Sequence, residues 1–323
     1  MKNGRLFLLV LSLFFSCAQT DEQELLSAKE QAKAHLTAGE CNDAIDVLDD
    51  VGYQDDDADY ISLYASAHAC LSGFKEVDFF TNDITTVSAT NLVKSLASMS
   101  TSNETQADST GFLGIMTAIN AITSASTTSA GRVTRFGTSK GTDLNFQLLS
   151  LSMVATGKWF AYYGNVGTDG TKGGDAQALG NTCIYSYTNA NAVAWITTHA
   201  TANAVGTGTC TAATGSEGSD QLESPVTAAT IKTRLCYGIV AFNNFLETVS
   251  NLDVSGDDFG QLDTIETAVS TLYTAAETLE LAQYSTTSIQ TMKVIYDQAS
   301  CESANLNDIE RYYAIFFEAD SVF

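Results

Sequence analysis

The chain has 323 residues, 45% of them hydrophobic, which suffices for one large domain or two smaller ones and excludes global disorder. Its formal net charge of −23 argues against nucleic-acid binding, which depends on lysine and arginine neutralising phosphates, and against electrostatic attachment to anionic lipid. The single proline, Pro225, excludes an extended proline-rich linker.

The N-terminus has the layout of a secretory signal. Lys2 and Arg5 give a short positive start, and residues 6–15 are almost entirely apolar. Ser16 then supplies a small residue before Cys17. The apolar run is too short to cross a bilayer, which needs about 20 residues, so it predicts export and cleavage.

Residues 13–17, Leu-Phe-Phe-Ser-Cys, resemble the lipobox of bacterial lipoproteins, in which a leucine and two small residues precede a lipid-modified cysteine. Ser16 and Cys17 match, whereas the two phenylalanines are bulkier than usual and the leucine stands one place early. The resemblance implies acyl chains on Cys17 as a stable anchor and, from Ala18, an outer-membrane location. The alternative is an ordinary signal peptide followed by an unmodified cysteine.

A short tether follows the anchor. Thr20 and Gln23 have the spacing of a capping box, so the first helix is expected to begin about three residues after Cys17. With 13 basic and 38 acidic residues left after cleavage, the mature net charge is −25. We therefore expect the lipid, and not charge, to hold the folded part near the membrane.

The remaining cysteines are even in number, which indicates disulfide bonds in an exported chain. They are Cys41, Cys70, Cys183, Cys210, Cys236 and Cys301. Their pairing stays open. Pairing each cysteine with its nearest neighbour in the sequence would cross-link three local regions. Buried free thiols are the alternative. The sequence has no Cys-x-x-Cys motif and no Cys/His cluster, so a zinc site built on cysteine is not expected.

Residues 22–100 contain two helical hairpins with a repeat. Gly39 and Gly73 are 34 residues apart, and each lies between two helical stretches. This period, with the small residue Ala44 on the second helix, resembles the tetratricopeptide (TPR) repeat, which implies stacked helices presenting a groove to a peptide. Cys41 replaces the usual aromatic residue and no third copy follows, so an unrelated pair of hairpins is the alternative.

The joint between the hairpins is acidic. It contains Asp55, Asp56, Asp57 and Asp59. Clustered carboxylates can bind calcium, but the spacing and the lack of a loop glycine favour a solvated turn.

A second helical region, residues 101–323, follows. Apolar residues recur every three or four positions over 144–163, 231–249 and 309–317, which predicts helices. The stretch 144–163 is the most apolar, and we interpret its closing aromatic run, Trp159 to Tyr163, as part of a core helix. A ligand-stacking face is the alternative.

Three stretches rich in Ser, Thr, Asn and Gly predict loops. Residues 100–111 and 124–142 are expected to be long loops, and 164–220 an elaborated surface with a short helix around 193–199. Lys140 stands between two glycines without the geometry of a phosphate-binding loop, which indicates a turn.

One further stretch partly resembles a calcium loop. Its alternating oxygen ligands are Asp253, Ser255 and Asp257. Its twelfth position is Thr264 instead of glutamate, so a helix–helix turn is favoured over calcium. Apart from the lipid on Cys17, no cofactor is predicted.

The sequence therefore predicts an all-α protein with TPR-like hairpins continuing into a larger helical body. Its expected segments are a signal peptide (1–16), a lipidated tether (17–21), a TPR-like region (22–100) and a helical body (101–323). We expect a non-enzymatic interaction or scaffold lipoprotein of the bacterial envelope, whose partners are an envelope protein or peptide and the membrane.

Two alternatives stay open. The first is a solute-binding or uptake-associated lipoprotein with an apolar pocket in the helical body. The second is an enzyme using scattered carboxylates, which requires close carboxylate pairs with raised pKa values in a cleft.

Overall fold

The computed structural model describes residues 21–84, 87, 96, 107–163, 183–199, 210–211, 220–223, 227–252, 288–318 and scattered positions between 267 and 285. Within these ranges the regular elements are all helical and no strand occurs, which confirms the all-α class. The lipobox-like segment, Thr20, and the calcium candidates Asp253, Ser255 and Asp257 lie outside the described residues.

The helices follow one another in this order: α1 (Asp21–Ala38), α2 (Cys41–Asp50), α3 (Ala58–Leu71), α4 (Glu76–Asp78), α5 (Thr110–Ala125), α6 (Ser129–Phe136), α7 (Thr138–Tyr162), α8 (Ala190–His199), α9 (Asp220–Glu223), α10 (Ala228–Val249), α11 (Ser288–Met292), α12 (Gln298–Ser303) and α13 (Leu306–Tyr313). α4 and α13 continue into π-helical turns, Phe79–Asp83 and Ala314–Glu318. Among these helices, none has the length and apolar character needed to cross a bilayer.

Polar N-cap residues decide where several helices begin. The side chains of Asp57, Ser109 and Thr128 accept hydrogen bonds from the backbone N–H groups three residues later, in α3, α5 and α6. Thr227 and Asp297 do the same for α10 and α12. Each bond satisfies an amide group that a helix start leaves unpaired, and contributes about 1 kcal/mol.

The prediction of a long loop over 124–142 is wrong. The structure places α6 and the start of α7 there, separated by Gly137 at a φ of +82°. The fully buried Arg132 anchors α6 from inside, since it donates to Asn145 Oδ1 and lies 3.3 Å from Glu247 Oε2. These tertiary contacts outweigh the weak helix propensity of Ser, Thr and Gly.

Two hydrophobic clusters divide the described fold, and α3 belongs to both. Tyr60 and Ala67 on one face of α3 pack with α1 and α2 in a small cluster, whereas Ile61 on the other face joins the large core. α5 approaches this second face so closely that a Cβ on Gly114 would lie 2.7 Å from the His68 carbonyl oxygen. We call α1–α3 the hairpin unit and α5–α13 the body.

α7 and α10 pack against each other at the centre of the body. The Trp159 ring on α7 lies 5.4 Å from the ring of Tyr313 and 6.0 Å from that of Phe317. Trp159 Nε1 also donates to the Arg234 carbonyl oxygen at 2.8 Å. The aromatic run at the end of α7 is therefore core and not a ligand-stacking face, as the sequence interpretation favoured.

Candidate functional site

Three aspartates around the start of α3, which we call the acidic turn, each pair with a base from a different helix. Asp57 Oδ2 lies 2.6 Å from the Nζ of Lys29 on α1. Asp55 and Asp59 pair with Arg135 on α6 at 3.1 Å and with Lys140 on α7 at 2.7 Å. The acidic turn thus ties the hairpin unit to the body, which the sequence pattern did not reveal.

These ion pairs line a cleft of about 640 Å³ that opens to solvent between α1, the acidic turn, and the α6–α7 joint. Its lining residues are Leu25, Lys29, Gln54, Asp56, Asp57, Ala58, Asp59, Arg135, Phe136 and Lys140. The surface carries both signs of charge and two large apolar side chains, Leu25 and Phe136. The Arg135 guanidinium carbon lies 5.3 Å above the Phe136 ring, which adds a cation–π contact. We call this site the charged cleft.

Asp57 has two structural roles in the charged cleft. It caps α3 by accepting from Tyr60 N at 3.0 Å, and it pairs with Lys29. Partial burial pushes the pKa of Asp57 upward, but the hydrogen bonds from Lys29 and from the Tyr60 amide outweigh it, and the net pKa is lowered. Asp57 is therefore held ionised as both cap and counter-ion.

A row of aromatic rings runs along α3 and is not part of the lining of the charged cleft. Tyr60, Tyr64 and His68 follow one another at intervals of four residues, with centroid distances of 5.9 Å and 4.5 Å. Tyr53 packs edge-on against this row and donates to the Ala121 carbonyl oxygen of α5 at 2.9 Å. Burial lowers the pKa of His68, so this row is uncharged at neutral pH.

All six cysteines after Cys17 form disulfide bonds, in nearest-neighbour order. The pairs are Cys41–Cys70, Cys183–Cys210 and Cys236–Cys301, each with a Cα–Cα distance of 5.6 Å. The first pair is partly exposed and joins the start of α2 to the end of α3, whereas the other two are buried. They staple the fold and do not line the charged cleft.

The buried carboxylates of the body hold backbone in place. Glu310 accepts from the Thr188 amide at 2.9 Å, and Glu318 accepts from the Ile184 amide at 2.7 Å, so together they fix the segment before α8. Glu280 accepts from the Ile289 amide at 3.0 Å, and burial raises its pKa. None of these three glutamates is among the lining residues of the charged cleft. In that cleft the pKa of Asp57 is lowered, whereas that of Glu280 is raised.

Comparisons of the chain with protein-family models, with curated proteins and with solved structures found no match.

Proposed function

We propose that this chain is a lipid-anchored protein of the bacterial envelope that binds a polypeptide segment in the charged cleft. The observation that carries the proposal is the composition of that cleft, where partly exposed charges of both signs share the lining with Leu25 and Phe136. A polypeptide offers charged, hydrogen-bonding and apolar groups in close succession, so it matches such a surface better than an apolar small molecule does.

The exposed ion pair at the rim gives the cleft its means of selection. Lys140 and Asp59 are each 51% exposed. Their ion pair can therefore break, and each side chain can pair with a charge on the bound polypeptide at little desolvation cost. Rim charges of this kind govern the association rate and the choice of partner more than the final affinity. Leu25 and Phe136 then supply apolar contact.

The cleft lies close to Cys17 along the chain. α1 begins at Asp21, four positions after that cysteine, and Leu25 follows within the first turns of the helix. At a rise of about 1.5 Å per residue, Leu25 lies about 6 Å along the axis from the first residue of α1. An acyl anchor on Cys17 would therefore hold the cleft beside the membrane, where envelope partners are concentrated.

Site-specific photo-crosslinking in cells tests the binding proposal. A photoreactive side chain replaces Asp56, which is exposed and lines the charged cleft; the matched control carries it at Val294, which is 57% exposed on the body. We expect a discrete crosslinked partner from position 56 alone, lost in the Lys140→Glu variant. Equal capture from both positions, or a tightly bound small molecule without capture, would contradict the proposal and favour the solute-binding alternative.

Fractionation tests the anchor separately. Cys17→Ala removes the only thiol that the lipobox-like segment offers, so we expect the protein to leave the membrane fraction. A mass increase consistent with acylation should also disappear from the N-terminal peptide. Continued membrane retention of the variant would refute the anchor while leaving the crosslinking result intact.

A further inference from the structure

The turn from α1 to α2 brings one imidazole and two carboxylates together. His35 Nδ1 lies 2.7 Å from Glu40 Oε2. One imidazole nitrogen of His35 and one carboxylate oxygen each of Glu40 and Asp43 all lie within 4.8 Å of one another. The side chains of His35 and Glu40 are 30% and 52% exposed. A dissolved ion can reach the three donor atoms without any opening of the fold.

The backbone holds these donors in place. Gly39 takes a φ of +77°, a conformation that favours glycine, and the Glu40 amide donates to the His35 carbonyl oxygen at 2.9 Å. The next residue, Cys41, is bonded to Cys70 at the end of α3. The turn is therefore fixed at both sides, which reduces the entropy cost of gathering three ligands.

The charge around this turn is uncompensated, in contrast to the charged cleft. Asp57 and Asp59 each have a lysine partner. Within the described part of the chain, no lysine or arginine lies within ion-pair distance of Glu40 or Asp43. The Asp43 carboxylate, in the first turn of α2, adds a second negative group beside the hydrogen-bonded pair of His35 and Glu40.

We propose that His35, Glu40 and Asp43 form a binding site for one divalent transition-metal ion of the zinc type. An imidazole nitrogen and two carboxylate oxygens suit Zn²⁺, which binds such mixed donors, better than Ca²⁺ or Mg²⁺, which prefer oxygen alone. Water completes the coordination at this exposed position. The bound ion bridges the end of α1 to the first turn of α2 and neutralises the two carboxylates.

Calorimetric titration of the full-length chain with ZnCl₂, with the Cys17 thiol alkylated to remove a competing ligand, tests this site. We expect one ion per chain, and at least about tenfold weaker binding in His35→Gln and in Asp43→Asn. The matched control is Asp46→Asn, which removes the same charge from an exposed position on the same helix. Asp46 is not one of the three donors, so this variant should bind as the wild type does.

Nuclear magnetic resonance of the imidazole nitrogens of the wild type gives a readout that needs no variant. The chain has three histidines, and Zn²⁺ should shift the ring nitrogens of His35 while leaving those of His68 unchanged. Absence of binding at 100 µM Zn²⁺, a concentration on the order of a weak extracellular cation site, would overturn the proposal. Unchanged affinity in His35→Gln, or an equal loss in Asp46→Asn, would overturn it as well, because either result indicates diffuse attraction to an acidic surface.

Discussion

The hairpin unit and the body are both all-helical, but they are held together in different ways. The fully buried residues of the hairpin unit's small cluster are three alanines, one leucine and one tyrosine, whereas larger side chains such as Leu36, Ile45 and Leu63 pack against it only partly buried. The body buries large rings, among them Trp159, Phe160, Tyr313 and Phe317. Small or only partly buried side chains remove less apolar area from water than fully buried rings do, so we expect the hairpin unit to depend more on its disulfide and on ion pairs with the body.

The most buried ion pair of the described residues also lies in the body. The ion pairs of the charged cleft lie at the surface, with side chains from 14% to 63% exposed. In the body, Arg132 and Glu247 are 0% and 8% exposed and share further hydrogen bonds with Ser129. Exposed pairs are individually weak, whereas a buried and fully bonded pair is costly to break. The contrast predicts a body that stays folded under conditions that loosen the hairpin unit.

The largest expected effect comes from removing the disulfide of the hairpin unit. The double variant Cys41→Ser, Cys70→Ser opens a loop with a sequence separation of 29 and should lower the free energy of unfolding by about 3 kcal/mol. Hydrogen exchange should show lost protection in α1 and α2, while α7 and α10 are unchanged. Cys17→Ser is the matched control. An equal loss of protection in α7 would disprove the proposed difference in stability between the hairpin unit and the body.

Overpacking the body should cost somewhat less. Gly238→Ala places a Cβ 2.8 Å from Trp159 Cε2, inside the aromatic core, and we expect a loss of about 2 kcal/mol in urea unfolding. The expected loss has the opposite sign to the usual effect, because Gly→Ala within a helix ordinarily raises the free energy of unfolding by about 0.5–1 kcal/mol. The sign of the measured change therefore serves as the control. A gain in stability at position 238 would mean that the core is looser than the structure shows.

Substitutions at Asp57 separate its roles as the N-cap of α3 and as the ion-pair partner of Lys29. Asp57→Ala removes both the α3 cap and the partner of Lys29, and should cost about 1–2 kcal/mol, whereas Asp57→Asn keeps the cap and should cost about 0.5 kcal/mol. Urea unfolding at neutral pH measures both.

The pH dependence of the Asp57 variants checks the assignment. Because the folded pKa of Asp57 is lowered, its stabilisation is present above the ordinary aspartate range and is lost as the pH falls through the folded pKa. The difference between wild type and Asp57→Asn should therefore shrink on acidification below about pH 4. A difference that grows instead would rule out the ion pair as its source.

The smallest effect is expected at Glu280, and it has the opposite sign. Burial raises the folded pKa of this carboxyl, so its contribution to stability is present below the ordinary glutamate range and is lost as the pH rises through the folded pKa. Glu280→Gln should be more stable than wild type at pH 8 by less than about 1 kcal/mol, and equal to it at pH 4. The exposed Glu76→Gln serves as control, and a destabilised Glu280→Gln at pH 8 would contradict the assignment.

Much of the fold could be predicted from local pattern. The apolar periodicity over 144–163 predicted the central helix, and the regular stripe over 231–249 predicted α10. The loop prediction over 124–142 failed because composition suggests weak helix propensity there, while Arg132 and its distant partner Glu247 stabilise α6.

The sequence by itself determined the helical class and the chemistry available at each position, because helical periodicity and capping act over a few residues. It also offered a nearest-neighbour cysteine pairing, which the structure has. Only the tertiary structure decided which charges meet. Asp57, Asp55 and Asp59 pair with bases 28, 80 and 81 positions away, and contacts at such separations depend on how whole helices pack. An acidic turn in the sequence thus becomes a charged cleft in the fold.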